Sequence, residues 1–365
     1  MVLFLHNRYR VTGGEERAVE DLRWLLREHL GEEVELLERD SAALGRPRAA
    51  VALLRGGLQP DDVAAAVRRS GARVVSAHNV NPVFGWRALA AARAAGARVV
   101  LHLHNYRLVC AVGTCFNSRG QDCVRCQGRN TAPGVRLNCR GTGAEAAVYG
   151  AALALWQRRL AAEADAVVVP SQFAVRRLRE LRAPLDPARV HVVPHVVREF
   201  AERSAAAAGE HVLVASRLAP EKGVELAVQA CGRAGLPLVV AGEGPRAAAL
   251  RAAGGARFVG RVSAAELADL RARAALALVP SRSAETFGLA AAEAMAAGVP
   301  VVATAVGALP ELVDGAGLVA PGDAEALAGA ARARFGDEQA GAAGLRRIRE
   351  LASPDAVAAL LRSIY

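Results

Sequence analysis

Short, nearly continuous apolar segments alternate with amphipathic segments along almost the whole chain, and this alternation is the strongest constraint on its fold. The apolar segments consist mostly of Val, Leu and Ala, as in parallel strands that are covered on both faces. Two helices begin with typical caps, at Ser171 and at Ser263 with Glu266 three positions later. We therefore predict a doubly wound α/β architecture. The predicted strands cover residues 2–6, 73–78, 98–102, 166–170, 189–193, 211–216, 237–241, 277–280 and 301–304.

The strand–helix pattern restarts after Pro194, and residues 198–209 are charged and then rich in alanine, as in a linker. A chain of 365 residues is too long for one ordinary core and fits two domains. We predict an N-terminal domain over 1–195, a C-terminal domain over 205–350 and a last helix over 354–365 that could brace the first domain. Because ligands bind at the carboxyl ends of parallel strands, the active site is expected in the cleft between two facing sheets.

The composition is globular, with 53 % apolar residues and a formal net charge of +10. No apolar run approaches the roughly 20 residues of a membrane-spanning helix, and the first residues resemble a strand rather than a signal peptide, so a cytoplasmic protein is expected. The arginines are scattered and aromatic residues make up only 4 %, which argues against a nucleic-acid-binding surface. The simplest interpretation of the positive net charge is an arginine-rich surface exposed to solvent. Attraction to an anionic substrate or to the inner face of a membrane is the alternative.

Only one of the 46 basic side chains is a lysine, Lys222, in the segment Ser-Arg-Leu-Ala-Pro-Glu-Lys-Gly over 216–223. A lysine supplies a compact point charge on a flexible stem, unlike the planar fork of arginine. Arg217 lies five residues earlier at the end of a predicted strand, so the two cations can converge on one anion. Further along, Glu285 and Glu293 frame the segment Glu-Thr-Phe-Gly-Leu-Ala-Ala-Ala-Glu. Two cations suit a diphosphate and two carboxylates suit sugar hydroxyls, which predicts a nucleotide-sugar site.

The two motifs together resemble the signature of glycosyltransferase family 4. The resemblance rests on Ser-Arg-Leu and Glu-Lys-Gly over 216–223 and on Glu285-x₇-Glu293 with the following Ala-Met-Ala-Ala-Gly-Val-Pro-Val-Val-Ala, and it covers nearly the whole chain. It implies a retaining enzyme of the GT-B fold, with two Rossmann-like domains facing across a cleft and no catalytic cofactor.

The resemblance also implies a role for each matching residue. Arg217 and Lys222 would hold the donor diphosphate, Glu285 the donor sugar and Glu293 the ribose. No residue stands out as a covalent nucleophile, so the simplest mechanism is a front-face reaction in which the leaving diphosphate helps to deprotonate the acceptor. The remaining predicted donor-binding residues are Gly244, Arg261, Val262, Phe287, Gly288 and Leu289, of which Gly288 also opens a helix whose N–H groups favour a phosphate.

A glycine pair follows the first predicted strand, in Thr12-Gly13-Gly14-Glu15, and opens a helix. Such a turn lets the backbone approach a phosphate, although two glycines there are also ordinary turn chemistry. The segment is similar to a subgroup of the family with Gly-Gly-Glu-Asp at this place. The resemblance implies that Gly13 and Gly14 contact the donor diphosphate.

Histidines end two predicted strands. His102 and His104 lie two residues apart and should share one face. His104-Asn105-Tyr106 resembles the active-site histidine of the family, which contacts the donor sugar, and leaves His102 as a core residue. His78 is a weaker candidate for the acceptor side. The family commonly has Pro-Asn-Gly-Val-Asp from position 194, so the role of His195 stays open.

Five of the six cysteines lie within thirty residues, in a segment over 105–142 that is too polar to build its own core. Cys123 and Cys126 have the C-x₂-C spacing of a zinc knuckle, and Cys110 and Cys139 flank them symmetrically. For a cytosolic protein this pattern favours a structural zinc site, with Cys115 as a substitute ligand, over disulfides. Metal-free thiols and one or two disulfides remain alternatives. Similar inserts follow the active-site histidine in the same subgroup, which suggests a clip that orders an acceptor-binding loop.

The sequence thus predicts transfer of a sugar from a nucleoside-diphosphate sugar, with UDP or GDP as the expected nucleotide, to a hydroxyl of a glycan, a lipid-linked glycan or a natural product. A sugar-nucleotide epimerase of the same architecture is one alternative. A zinc-containing basic nucleic-acid-binding protein is another, which explains the cysteines and the charge but neither Glu285 nor Glu293. A relative that has lost activity is a third, and the intact motifs argue against it.

Overall fold

The computed structural model describes residues 1–8 and 13–365. The chain divides into two compact units, Met1–Val196 together with Pro354–Tyr365, and Val197–Ser353. Each unit contains a parallel six-stranded sheet flanked by helices, which confirms the predicted doubly wound α/β architecture. The caps predicted at Ser171 and Ser263 are confirmed as well, since each serine Oγ accepts a hydrogen bond from a backbone N–H three residues later.

The sheet of the first unit has the strand order β2-β1-β3-β4-β5-β6. Its strands are β1 (Val2–Arg8), β2 (Val34–Asp40), β3 (Val74–Ala77), β4 (Arg98–His102), β5 (Ala166–Val169) and β6 (Val190–Val192). Its helices are α1 (Gly14–Leu30), α2 (Arg46–Arg55), α3 (Pro60–Ser70), α4 (Gly85–Ala94), α5 (Ala132–Arg136), α6 (Gly143–Ala162), α7 (Gln172–Glu180) and α15 (Pro354–Leu361). Helix α15 packs against α1, and its Val357 and Leu361 join the core around Phe4.

The sheet of the second unit has the order β12-β11-β10-β7-β8-β9. Its strands are β7 (His211–Ala215), β8 (Leu238–Ala241), β9 (Arg257–Gly260), β10 (Ala274–Val279), β11 (Val301–Thr304) and β12 (Leu318–Val319). Its helices are α8 (Val224–Ala234), α9 (Ala247–Ala253), α10 (Ala264–Ala272), α11 (Leu289–Ala296), α12 (Leu309–Leu312), α13 (Ala324–Arg334) and α14 (Glu338–Ala352). The strand order reverses beside β7 and β10, which is where doubly wound sheets bind ligands.

Burial explains which strands the sequence reveals. Every residue of β3, β5 and β10 is buried, as expected from continuous apolar runs. Strand β2 lies at the edge of its sheet, is only partly buried and contains four charged residues, so the apolar pattern does not predict it. The predicted linker over 198–209 begins at the boundary between the units and contains one 3₁₀ turn, Ala206–Ala208.

Candidate active site

In the second unit, the loops after β7 to β11 all leave the carboxyl edge of the sheet. Hydrogen bonds between backbones join neighbouring loops. Leu218 N donates to the Glu243 carbonyl at 2.9 Å, and Ala308 N donates to the Glu285 carbonyl at 2.9 Å. This edge therefore holds together the segments that carry the predicted donor-binding residues.

Two glycines allow these loops to pack backbone against backbone. Gly242 has a φ of 142°, and a Cβ there would lie 1.9 Å from the Ser216 carbonyl oxygen. A Cβ on Gly244 would lie 2.4 Å from the Leu218 carbonyl oxygen. The close approach explains both glycines by packing alone, and contact of Gly244 with a ligand stays a prediction.

The lone lysine and the first predicted carboxylate are in direct contact. Lys222 lies at the end of the turn Pro220–Lys222, and its Nζ donates to Glu285 Oε1 at 2.6 Å. Ser281 Oγ donates to the same oxygen at 2.6 Å. Both donors converge on Oε1, and no donor among residues 1–8 and 13–365 is bonded to Oε2. The carboxylate is therefore positioned by one oxygen and can accept from a ligand with the other.

Electrostatics keep this carboxylate charged. Burial alone would raise the pKa of Glu285, but the Lys222 ammonium, the hydrogen bonds from Lys222 and Ser281, and the charge of Arg217 hold that pKa below its ordinary value. The site thus combines an ionised acceptor with two cations. Sequence reasoning missed Ser281, although its position four residues before Glu285 in one loop could have suggested the contact.

Arg217 forms an ion pair with Glu221 and has a 44 % exposed side chain. An exposed arginine can exchange one carboxylate for a phosphate at little cost, because such pairs contribute little stability in water. Lys222 and Arg217 are both close enough to Glu285 to lower its pKa. The structure therefore brings together three of the predicted catalytic residues.

Glu293 lies on α11 and forms an ion pair with Arg271 of α10, a partner that sequence reasoning missed. Both side chains are largely buried. Only the fold reveals this contact, since 22 residues separate the two positions. The pairing leaves the predicted role of Glu293 in ribose binding untested.

Helix α11 begins after Gly288, whose φ is 97° and whose Cβ position would lie 2.7 Å from Leu309 Cδ2. Phe287 and Leu289 on either side pack in the hydrophobic core, Phe287 being 2 % exposed. The side chain of Phe287 is therefore occupied by packing, whereas Leu289 is only partly buried, and contact of either residue with the donor stays a prediction. The helix N-terminus itself offers N–H groups to an anion.

The loop after β9 contains the other two predicted donor-binding residues. Arg261 is exposed, whereas Val262 is partly buried and packs against the core. Arg261 is thus accessible to a ligand at the carboxyl edge, and Val262 mainly anchors the loop.

In the first unit, the glycine pair and the His-Asn-Tyr motif lie side by side. Gly13 caps α1, and its N–H donates to Glu16 Oε2 at 2.7 Å. Asn105 Nδ2 donates to Glu15 Oε2 at 2.9 Å. Thr12 of the predicted loop lies outside the described residues. Contact of Gly13 and Gly14 with a phosphate stays a prediction.

Four histidine rings stack beside the end of β4. His78 stacks on His102 and on His104 with ring centroids 4.6 and 5.2 Å apart, and His104 stacks on His195 at 5.3 Å. His78 Nδ1 lies 2.9 Å from His104 Nε2, a hydrogen bond between the two rings. The nitrogens of His78, His102 and His104 lie within 4.8 Å of one another, so this is the group of side chains that could hold a metal ion in the described chain.

Burial keeps these rings neutral. It lowers the pKa of His78 and of His104 well below the ordinary value, and neighbouring histidines lower both further. Burial also lowers the pKa of His102 to about 3 and that of His195 to about 4. Neutral imidazoles carry one proton each, on one nitrogen or the other. The sequence pattern singles out each of the four histidines but does not predict that their rings stack together.

The cysteine-bearing segment over 105–142 is folded and anchored. Cys123 N donates to the Cys115 carbonyl at 2.8 Å. The buried Arg177 of α7 donates two hydrogen bonds of 2.9 Å to the Asp122 carboxylate. Burial alone would lower the pKa of Arg177, but Asp122 raises it above the ordinary value. The segment therefore has a rigid attachment to the first unit.

All five cysteines of this segment are free thiols that line one cavity. A hydrogen bond from Cys115 lowers the pKa of Cys110 to about 6, which favours its thiolate, whereas burial raises the pKa of Cys126 to about 11. Among residues 1–8 and 13–365, these cysteines do not form a group of three or more side chains close enough to hold a metal ion. The structure brings the predicted ligands Cys110, Cys123, Cys126 and Cys139 to one cavity without arranging them as a zinc tetrahedron.

Comparison with known proteins agrees with both halves of this description. Residues 11–196 match the family described as Glycosyl transferase 4-like domain, and residues 209–337 match Glycosyl transferases group 1. The chain belongs to the glycosyltransferase 4-like family. The resemblance to this family is thereby confirmed, whereas the subgroup with the Gly-Gly-Glu-Asp loop and the cysteine insert stays a prediction, and the chain has the GT-B architecture of two Rossmann-like units.

The curated relatives match only part of this chain. A glycogen synthase of Mycobacterium tuberculosis is 33 % identical over 215 residues, which are 54 % of this chain and 51 % of that protein. A D-inositol 3-phosphate glycosyltransferase of Mycobacterium bovis is 34 % identical over 182 residues, which are 43 % of this chain and 37 % of that protein. The chain thus spans about half the length, or less, of the curated relatives it matches.

Among solved structures, a sucrose-phosphate synthase from Thermosynechococcus elongatus has a TM-score of 0.72 and 20 % identity, over all of this chain and 98 % of that one. This likeness shows the fold. Among the described residues of the glycosyltransferase, no helix is long and apolar enough to cross a bilayer.

Proposed function

We propose that the protein transfers a sugar from a nucleoside-diphosphate sugar to a hydroxyl acceptor, with retention of configuration. The observation that carries the proposal is the contact between Lys222 and the partly buried Glu285 at the carboxyl edge of the second sheet. It combines a cation for phosphate with an ionised acceptor for sugar hydroxyls. Family membership supports the same reaction class.

The charged side chains of the site suggest how the bond between the donor sugar and the diphosphate is broken. As the sugar departs, the diphosphate gathers negative charge, which Arg217 and Lys222 stabilise. Lys222 can donate to a phosphate with a second N–H while it still donates to Glu285, because an ammonium has three donors. Glu285 Oε2 accepts from a sugar hydroxyl, and Glu293 accepts from the ribose. With no covalent nucleophile, the leaving diphosphate takes the acceptor proton on the front face.

A uridine nucleotide is the donor we favour. One solved structure with the same fold, Anabaena HepE, is described in complex with UDP-glucose, at a TM-score of 0.63 and 17 % identity. GDP is the second choice. The relatives' names include a glycogen synthase and an inositol phosphate glycosyltransferase, which supports a polyhydroxyl acceptor such as a glycan or lipid-linked glycan. The net charge of +10 supports peripheral contact with an anionic membrane.

Nucleotide binding tests the proposal. Thermal unfolding is measured with UDP, GDP, ADP and dTDP and with UDP-glucose, for the wild type, Lys222→Met and Glu285→Gln. A nucleotide at a hundred times its Kd adds about 2.7 kcal/mol of stability, which shifts the midpoint visibly. Arg233→Met serves as the matched control, since Arg233 forms an exposed ion pair with Glu325 on the same unit.

We expect one nucleotide to stabilise the wild type and Arg233→Met but not Lys222→Met. Glu285→Gln should still bind UDP and lose the additional affinity for UDP-glucose, because it lacks the charged acceptor for sugar hydroxyls. Turnover of Lys222→Met should fall by about 10²–10³, as when one electrostatic donor is removed from a transition state. No response to any nucleotide, or equal binding by Lys222→Met, would reject the proposed donor site.

We also propose that the cysteine-lined cavity takes a structural zinc ion. Its support is that Cys110, Cys123, Cys126 and Cys139 reach one cavity and that Cys110 has a lowered pKa. The sulfurs would have to move closer, since zinc–sulfur bonds of about 2.3 Å bring the four together. Zinc content after purification without chelators should be about one per chain, should be lost in Cys123→Ser and should persist in Cys115→Ser. Wild-type protein without zinc would reject this site.

A further inference from the structure

A chain of hydrogen bonds in the first unit runs from Tyr365 to His104. Tyr365 OH lies 2.5 Å from Ser76 Oγ, and Ser76 Oγ lies 2.9 Å from His78 Nε2. The other nitrogen of His78, Nδ1, lies 2.9 Å from His104 Nε2. A branch joins Tyr365 OH to His102 Nε2 at 2.7 Å. The Tyr365 phenol is thus linked directly to His102, and through Ser76 and His78 to His104.

The number of protons limits how these bonds can be arranged. Each hydroxyl has one proton to donate, and each neutral imidazole has one N–H and one accepting nitrogen. The rings are neutral because burial lowers their pKa values, and burial likewise raises the pKa of Tyr365 above its ordinary value, which keeps its proton on the phenol. Ser76 and Tyr365 each have two partners in the chain, and each can pair its own proton there only by donating to one partner and accepting from the other.

Two arrangements make every bond of this chain and also pair both hydroxyl protons. In the first, Tyr365 donates to Ser76, Ser76 to His78, and His78 to His104 Nε2, so His104 carries its proton on Nδ1 and His102 donates from Nε2 to Tyr365. In the second, every donor and acceptor is exchanged: His104 carries its proton on Nε2, and the Nε2 of His102 accepts from Tyr365. The proton position on His102 therefore determines the proton position on His104.

We propose that Tyr365 is a positioning residue that couples the tautomers of His102 and His104. It thereby decides whether His104 presents a donor or an acceptor at Nδ1. The catalytic consequence rests on the proposed function together with the contact of His104 with the donor sugar that the family resemblance implies, whereas the coupling itself does not. The fold supports the arrangement, since Leu361 of α15 is buried in the core and its carbonyl accepts from Tyr365 N at 2.9 Å.

Nitrogen-15 NMR of the histidine side chains tests the coupling directly in the wild-type protein, because a protonated ring nitrogen and a bare one give different signals. We expect matched tautomers. Either His102 carries its proton on Nε2 and His104 on Nδ1, or His102 carries its proton on Nδ1 and His104 on Nε2. A mismatched pair overturns the proposal. Signals that change when a chelator is added would also overturn it, since they would show that His78, His102 and His104 hold a metal ion instead.

Variants then test the role of the phenol. Tyr365→Phe keeps the ring and removes both bonds, so the signals of His102 and His104 should both change. Ser76→Ala interrupts the chain at a second point and should change His104 although it does not touch it. Ser363→Ala is the matched control, because Ser363 is an exposed hydroxyl that bonds only to the Leu360 carbonyl. Unchanged His104 signals in both Tyr365→Phe and Ser76→Ala would overturn the proposal.

Kinetics separate this coupling from a failure of the proposed function. With UDP-glucose as donor, Tyr365→Phe should lower kcat about 3- to 10-fold, the effect of one lost hydrogen bond, and leave KM within about twofold. A proportional loss of kcat and of folded protein would indicate a merely structural role and overturn the proposal. If the wild type does not turn over UDP-glucose, the choice of donor fails, and the NMR result alone decides the coupling.

Discussion

Removing the single lysine should destabilise the second unit in a pH-dependent way. Lys222→Met leaves Glu285 buried beside Ser281 without its cation. Breaking a fully buried ion pair in this way costs about 3–5 kcal/mol. The side chains are 27 % and 16 % exposed, so solvent screens part of the charge and we expect about 1–3 kcal/mol at pH 7.

The pH dependence follows from the pKa of Glu285. In the wild type this pKa lies below the ordinary value of 4.5, so its ionisation adds stability above pH 4.5 that is lost as the pH falls through the folded-state pKa. Without Lys222, the penalty of burial dominates and raises the pKa above 4.5. The carboxyl group then destabilises the folded state as the pH rises above 4.5. The stability difference between wild type and variant should therefore be largest at pH 7 and shrink towards pH 4.

Urea unfolding between pH 4 and pH 7 measures this difference. Arg233→Met is the control, because its exposed pair with Glu325 should contribute no more than about 1 kcal/mol. The double variant Lys222→Met/Glu285→Gln should recover most of the lost stability, since no charge then remains buried. The reasoning is refuted if Lys222→Met costs no more than Arg233→Met at pH 7, or if its cost is the same at pH 4.

Two further predictions use neighbouring or equivalent positions as controls in urea unfolding. Gly242→Ala should lower the free energy of unfolding by about 3 kcal/mol or more, because the added Cβ would lie 1.9 Å from the Ser216 carbonyl oxygen. Its control is Gly232→Ala within α8, where the added Cβ meets open space. This control should be neutral or stabilising by up to about 1 kcal/mol. Leu361→Ala should cost about 2–5 kcal/mol, while Leu360→Ala, 44 % exposed, should stay within about 0.5 kcal/mol. Equal losses of stability in Gly242→Ala and Gly232→Ala would contradict the packing described for the second unit. Equal losses in Leu361→Ala and Leu360→Ala would contradict the packing described for the first.

The fold was largely predictable because most of its strands are buried on both faces. Such strands consist of continuous apolar runs, and a short run of Val, Leu and Ala bounded by polar residues is typical of a strand inside a parallel sheet. Strand β2 lies at a sheet edge and carries four charged residues, and β12, at another edge, has only two residues. Neither therefore left a comparable apolar run in the sequence.

The candidate site was predictable where its residues belong to one loop or to a recognised motif. Lys222, Arg217 and Glu285 are such residues. Arg271 and Tyr365 are not, because their partners are brought to them only by the packing of distant segments, 289 residues apart for Tyr365 and Ser76. Sequence reasoning also assigned Phe287 and Leu289 to the donor site; Phe287 is buried in the core and Leu289 packs partly against it, so packing already explains an apolar residue at both positions.

The geometry explains why position 222 keeps a lysine in a chain that otherwise uses arginine. Lys222 and Ser281 share Glu285 Oε1, so the carboxylate is held by one oxygen and stays able to accept with the other. A guanidinium would tend to bind both oxygens in parallel, because its planar fork matches a carboxylate. That bidentate pair would engage both oxygens and turn the carboxylate towards the guanidinium, so neither oxygen would be left wholly to a sugar hydroxyl. The ammonium anchors Glu285 through Oε1 alone and still has donors for a phosphate, as the proposed donor site needs.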